Sequence, residues 1–327
     1  MSRTDMQHLR VVIMGASSGI GQATAEAFAR RGASLILSAR DAAALNAVAA
    51  RCRLAGGTAH VAPADVTDAD AVAGVVAEAR RRCGGIDLWV SNAGVGAVGR
   101  FHETPMAAHD QVIRTNLIGH MNDAHAVLPV FLEQGHGTFV NVVSLGAFAA
   151  APFAAAYSAS KFGLTGFSEA LRAELADRPR IHVCDVHPGF VDTPGLAHGA
   201  NYTGRRLKPM PPVLDARRVA AAIVDLARHP RPQVVIGLSA HAVRIGHALA
   251  PDLGARLMAR ITELYLRRAP RMHPTDGNLF APPAAPGGID GGFRHGRRRG
   301  ARLAGAAALG LVCGGLALAL RRRVRSI

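Results

Sequence analysis

Seven short apolar runs, separated by long alanine-rich amphipathic stretches, occupy most of this chain. That alternation constrains the fold more than any other feature. Parallel neighbours in a sheet need a crossover between them, and a helix with one apolar stripe is the usual crossover. Apolar run, amphipathic helix, apolar run is therefore the pattern of a parallel sheet covered by helices on both faces. The runs fall near 9–14, 34–38, 59–63, 86–91, 137–144, 181–187 and 233–236, and the helices near 19–31, 41–54, 68–83, 109–133, 154–175 and 215–228. No repeat of solenoid length is visible. With 327 residues and 49% hydrophobic content, the chain can bury one large core, a domain of about 250 residues, and keep an appendage.

The first run ends in Gly15-Ala16-Ser17-Ser18-Gly19-Ile20-Gly21 and passes straight into a helix. Glycines at such a junction let the backbone approach a pyrophosphate. They also leave the helix N-terminus, with its unpaired N–H groups and positive dipole end, pointing at it. A plain turn is the alternative, and the position between first strand and first helix favours the phosphate cradle. The second run ends in Ala39-Arg40-Asp41, about where a dinucleotide fold meets the adenosine ribose. An acid there accepts hydrogen bonds from the ribose hydroxyls, whereas an arginine favours a 2′-phosphate. Arg40 thus favours NADP over NAD, the alternative being a solvated loop charge; Asp41 reads as the N-cap of the next helix. Asp65-Val66 and Asn92-Ala93-Gly94 follow the third and fourth runs, at the carboxyl edge of the sheet where such folds bind ligands. Asn116 lies in the helix expected over 109–133, and in isolation reads as a structural amide.

Tyr157-Ser158-Ala159-Ser160-Lys161, with Ser144 thirteen positions before the tyrosine, places a phenol and an ammonium four residues apart. On a helix both project from one face. Chance produces that spacing in many surface helices, so the pair gains meaning only from its company. Together these residues resemble the short-chain dehydrogenase/reductase family over about residues 7–240. Gly15, Gly19 and Gly21 look like its Gly-x-x-x-Gly-x-Gly, Asn92-Ala93-Gly94 like its Asn-Ala-Gly, and Asn116, Ser144, Tyr157 and Lys161 match its catalytic tetrad in order and spacing. Pro188-Gly189 followed by Val191-Asp192-Thr193 resembles the loop that holds the nicotinamide carboxamide. Met14 departs from the pattern, since many members carry threonine there.

The resemblance implies an α/β, Rossmann-type doubly wound fold, with a mostly seven-stranded parallel sheet and a C-terminal helical extension. It implies NADP(H) as cofactor, with NAD(H) second. The cofactor would touch Gly15, Ser17, Ser18, Gly19, Ile20, Gly21, Arg40, Asp65, Val66, Asn92, Ala93, Gly94, Tyr157, Lys161, Pro188, Gly189, Val191 and Thr193. The reaction implied interconverts an alcohol and a ketone or aldehyde. A free tyrosine titrates at roughly 10 and is a reluctant base at neutral pH, so the positive charge of Lys161 is expected to stabilise the Tyr157 phenolate. Ser144 is expected to hydrogen-bond the substrate oxygen as charge develops there. By resemblance, Asn116 fixes a water that links Lys161 to solvent. A non-catalytic NADP-binding sensor or scaffold of the same fold is the competing function, and the intact tetrad argues against it. A homo-oligomer is expected by family analogy alone.

The net charge of +15 raises nucleic acid as a partner, but nine arginines and no acid lie between Arg294 and Ile327. That tail has no interleaved aromatics apart from Phe293, which argues against nucleic acid. Four cysteines without a Cys-x-x-Cys pair argue against a disulfide scaffold and a zinc site; no metal is expected. With no signal peptide before the first run, the catalytic domain is expected in the cytoplasm. The basic cluster Arg205, Arg206 and Lys208, in the stretch that forms the family's variable lid, either recognises an acidic substrate or is solvated, and the second reading is favoured.

Residues 1–240 are read as the catalytic domain and 241–269 as a helical extension that covers the sheet edge, extends the pocket or lies on a membrane. Residues 270–302 read as a Pro/Gly/Arg-rich linker. The stretch 303–320 has eighteen uncharged residues and would span about 27 Å as a helix, just short of a hydrocarbon core of about 30 Å. A membrane anchor followed by a basic tail over 321–327 is the preferred reading, against an oligomer contact or an interfacial tail. An anchor would place the enzyme near a lipophilic substrate.

Overall fold

A computed structural model describes residues 6–284 and 287–294. Strand β1 (Arg10–Met14) leads into α1 (Gly19–Ala29), β2 (Ser34–Ser38) into α2 (Ala42–Leu54), and β3 (Thr58–Val61) into α3 (Ala69–Cys83). After β4 (Leu88–Ser91) come the two-residue β5 (Ala97–Val98), α4 (Met106–Ile113), α5 (Gly119–Gln134) and β6 (Gly137–Val142). Helix α6 (Ala155–Glu174) runs to β7 (Ile181–Pro188). The short elements β8 (Val191–Asp192), α7 (Gly195–His198), β9 (Ala200–Asn201) and β10 (Leu214–Asp215) precede α8 (Ala216–Leu226) and β11 (Gln233–Ile236). Two further helices follow, α9 (Leu238–Leu249) and α10 (Pro251–Arg268).

The seven longer strands form one sheet in the order β11-β7-β6-β4-β1-β2-β3, and every adjacent pair is parallel. Their bounds agree with the apolar runs to within two residues. Both faces of the sheet are covered, so β4 and β6 are buried along their whole length and read as continuous rather than alternating apolar runs. One core layer packs Phe28, Leu35, Leu37 and Ile223, and the other packs Ile36, Trp89, Phe131 and Phe139. As expected, Asp41 caps α2, its carboxylate accepting from the Ala44 N–H at 3.0 Å. Strand order reverses between β1 and β4, and the crevice above that reversal is where ligands bind in such sheets.

Two regions differ from the sequence reading. The helix expected over 109–133 is interrupted by a π-helical turn at Arg114–Ile118 between α4 and α5, and Asn116 sits inside that turn. The described part of the stretch read as a linker is docked on the domain. Its Thr275 pairs with Asn201, Leu279 is buried beside Val95 and Val112, and Ile289 is buried in the main core. Helix α10, by contrast, buries no residue and leaves Leu253, Leu257 and Leu264 exposed. Among the described residues no helix is long and apolar enough to cross a membrane. The segments 303–320 and 321–327 lie outside the described residues.

Candidate active site

The glycine turn is held by steric necessity. Gly15 has φ +70°, a region that disfavours side chains, and a Cβ there would stand 2.8 Å from the Ala93 Cα. A Cβ on Gly21 would overlap the Gly15 carbonyl oxygen. Asn92 braces the same turn, its amide donating to the Gly15 carbonyl at 3.1 Å. The N-terminus of α1 therefore lies against the ends of β1 and β4, at the reversal of strand order.

Helix α6 carries Tyr157 and Lys161. Lys161 is 4% exposed, and its Nζ donates to the Val142 carbonyl at 3.2 Å and lies 5.8 Å from the Tyr157 ring centre. Burial pulls the Lys161 ammonium down to about 8. Burial also raises the Tyr157 phenol above its ordinary value, and the Ser144 hydroxyl beside it partly offsets this. Ser144 follows β6, and its Oγ accepts from the Gly146 N–H at 3.0 Å.

Asn116 is fully buried and makes structural contacts. Its Oδ1 accepts from the Val95 N–H at 2.8 Å, and its Nδ2 donates to the Val95 carbonyl at 2.9 Å and to the Ser160 hydroxyl at 3.3 Å. Ser160 in turn donates to the Tyr157 carbonyl at 2.7 Å. Asn116 thus ties the Val95 loop to the backbone that carries the tyrosine. The π turn, a feature common at functional sites, places it there.

A cavity of about 780 Å³ runs from Arg40 past the glycine turn to Tyr157 and on to Met258 and Ile261 of α10. Every residue expected at the site lines it except Gly21, which packs behind the turn, and Asn116. Its size is that of a small-molecule site, and its far end is apolar, with Val95, Leu196, Met258, Ile261 and Leu266. Of the basic cluster, Lys208 lines the cavity, while the Arg205 guanidinium donates to the Ala269 carbonyl at 3.1 Å. Asp65 accepts from the backbone and hydroxyl of Thr67 at 2.9 and 2.8 Å.

Two histidines escaped the sequence reading. His120 bridges the Asn141 Oδ1 at 2.8 Å and the Ala93 carbonyl at 2.9 Å, and burial with nearby Lys161 holds it down to about 4. His187 contacts the Ser144 carbonyl at 3.1 Å and stacks on Phe148; burial holds it too at about 4. Both support the backbone around Ala93 and Ser144. Their signals were polar residues within apolar stretches, His120 one helical turn after Asn116 and His187 immediately before Pro188.

Residues 10–201 match the family model described as short chain dehydrogenase. The chain belongs to the short-chain dehydrogenase/reductase family. Members of that family are oxidoreductases, and their fold binds NAD or NADP. A relative in Bacillus subtilis, "Uncharacterized oxidoreductase YxnA", is 32% identical over 258 residues, covering 77% of this chain and 71% of the relative. "Probable oxidoreductase EphD" of Mycobacterium tuberculosis is 40% identical over 184 residues, which cover 56% of this chain and 31% of that relative. The chain therefore spans about a third of the length of that mycobacterial protein. Among solved structures, an alcohol dehydrogenase from the archaeon Thermococcus sibiricus, complexed with 5-hydroxy-NADP, superposes with a TM-score of 0.62 at 26% identity. That likeness covers 69% of this chain and 94% of the archaeal one. Family membership accounts for the seven-stranded parallel sheet. The contacts made by residues 270–284 and 287–294 lie beyond the matched region.

Proposed function

We propose that this dehydrogenase/reductase interconverts a lipophilic alcohol and its ketone or aldehyde with NADP(H), Tyr157 exchanging the proton. The observation that carries this reading is the convergence of Tyr157, Lys161, Ser144 and the glycine turn on one cavity. A dinucleotide held in this cleft would supply or take the hydride at the substrate carbon. Everything else falls to the chain. The raised phenol keeps Tyr157 protonated at neutral pH, so in the reductive direction it hands its proton to the substrate oxygen. Ser144 donates a hydrogen bond to that oxygen. The Lys161 ammonium, one helical turn from Tyr157, favours the phenolate left behind. Asn116 acts as a positioning residue through Ser160. The apolar far end supports a lipophilic substrate.

Tyr157→Phe removes the proton donor and leaves the ring. Turnover is expected to fall by roughly 10²–10⁴-fold, with NADPH affinity, read by its fluorescence, unchanged. Wild-type turnover in this variant would sink the mechanism, whereas no turnover by the unmodified chain would revive the non-catalytic sensor.

Preference for NADP rests on Arg40 standing where the second strand meets the adenosine ribose. The NADP analogue in the archaeal relative agrees with that preference. Arg40→Asp is expected to weaken NADPH at least about tenfold more than NADH, a difference of about 1.4 kcal/mol. Equal losses in fluorescence titrations would refute a 2′-phosphate role.

A further inference from the structure

The end of the described chain returns to the dinucleotide cleft in two limbs, residues 275–284 and 287–294. The first limb engages Arg40: the guanidinium donates to the carbonyls of Asn278 at 2.6 Å, Leu279 at 3.1 Å and Ala281 at 3.4 Å. Arg40 is therefore not a solvated loop charge. The second limb reaches the phosphate turn, where the Gly288 carbonyl accepts from the Gly19 N–H at 2.8 Å. That donor is one of those left unpaired at the N-terminus of α1. The same limb then crosses the loop after β7. There the fully buried Asp192 carboxylate accepts from the N–H groups of Gly291 at 3.1 Å, Phe293 at 2.9 Å and Arg294 at 3.2 Å. Arg217 pairs with Asp290 at 2.8 Å, and Arg294 pairs with Asp215.

These anchors follow the length of a bound dinucleotide as read above: the adenosine end at Arg40, the phosphates at Gly19, the nicotinamide loop at Asp192. The limbs do not fill the cleft. Asn278, Pro282 and Pro283 line the same cavity as Ser17 and Tyr157, and that cavity keeps about 780 Å³ with them in place. A filler would have removed that space, whereas a wall encloses it.

We propose that residues 275–284 and 287–294 form the outer wall of the cofactor site, so that the dinucleotide is held beneath a strap and exchanges only when the strap lifts. This rests on the dinucleotide reading of the cleft. The strap is docked by backbone hydrogen bonds and ion pairs to groups remote in sequence, with few buried side chains of its own. Such a segment opens at a lower free energy than the sheet. The bonds to Arg40 also orient a side chain the cofactor meets, while Gly288 takes up the Gly19 N–H. Residues 275–284 and 287–294 are thus a determinant of cofactor residence.

Lifting can be blocked directly. A Cβ on Gly287 would stand 3.5 Å from the Ser18 Cβ, at the short end of the separation of about 3.5–4.5 Å that a disulfide spans. The full chain carrying Ser18→Cys and Gly287→Cys is loaded with NADPH while reduced, then oxidised. Its NADPH dissociation rate, followed by fluorescence on dilution, is compared with that of the reduced form of the same variant. Dissociation is expected to slow about tenfold or more, and dithiothreitol to restore it; equal rates would overturn the strap. Ile289→Ala, also in the full chain, loosens the second limb without touching Ser18. It is expected to raise the dissociation rate and weaken NADPH. Tighter NADPH binding would show that the strap competes with the cofactor rather than holding it. If the wild-type chain binds neither NADPH nor NADH, the dinucleotide reading itself fails, whereas binding with no effect of the cross-link fails the strap alone.

Discussion

Helices α6 and α10 are 20 and 18 residues long and border the same cavity, yet α6 buries seven residues and α10 none. In α6 the buried set includes Ser160, Lys161 and Ser168, each hydrogen-bonded. Ser168 accepts from Asn141 and donates to Asp185 at 2.8 and 2.6 Å. Polar groups so confined leave Tyr157 one position. Helix α10 offers Met258, Ile261 and Leu266 to the cavity while its Leu253, Leu257 and Leu264 face outward. The difference separates two tasks. The proposed proton transfer needs atoms fixed to fractions of an ångström, which the packed sheet domain can supply. Enclosing an apolar substrate needs area rather than precision, and an element resting on the surface can provide it.

The largest expected effect tests the packed half. Asp123 on α5 is fully buried, and its Oδ2 accepts from the Ser91 hydroxyl at 2.5 Å. The Trp89 indole N–H also faces this carboxyl. Burial pushes this carboxyl up to about 7, and the Ser91 hydroxyl and Trp89 indole only partly offset that. Between about 4 and 7 the folded state holds a proton that the unfolded state has lost, so stability falls as pH rises through that window. Asp123→Asn removes the titration. It should be more stable than wild type at pH 8 by on the order of 4 kcal/mol, with the gap closing toward pH 4. Urea midpoints that run parallel for the two proteins across this range would show that Asp123 does not titrate there.

Legibility in the sequence followed the same divide. The seven strands were readable because a parallel sheet demands continuous apolar runs, and Tyr157 and Lys161 because a helix fixes the meaning of a four-residue spacing. The glycine turn was readable because Gly15 and Gly21 answer to backbone contacts that admit no side chain. The π turn at 114–118 was not, since one extra residue per turn leaves apolar spacing almost unchanged. Arg40 had two readings, a phosphate ligand or a solvated charge, and neither anticipated carbonyl partners from a segment nearly 240 positions away. Residues 270–302 read as a linker because Pro, Gly and Arg are abundant there. Composition reports backbone freedom and is silent about which carbonyls a guanidinium on a distant loop will meet.

The comparison sharpens at two leucines of the C-terminal region. Leu279 of the first limb is 0% exposed and packs with Val95, Ala97 and Val112, whereas Leu264 of α10 is 51% exposed. Truncating each to alanine removes the same atoms. Leu279→Ala leaves a cavity and is expected to cost about 2–4 kcal/mol; Leu264→Ala is expected to change stability by no more than about 0.5 kcal/mol. Urea midpoints measured at two protein concentrations decide the matter. Equal costs that rise with concentration would mean that the outer face of α10 is covered by a second copy of the chain, and the expected homo-oligomer would then use that face. A small cost for Leu279 would mean that the first limb leaves the domain without unfolding it. The strap would then be looser than its bonds to Arg40 suggest, and NADPH should exchange quickly in the unmodified enzyme.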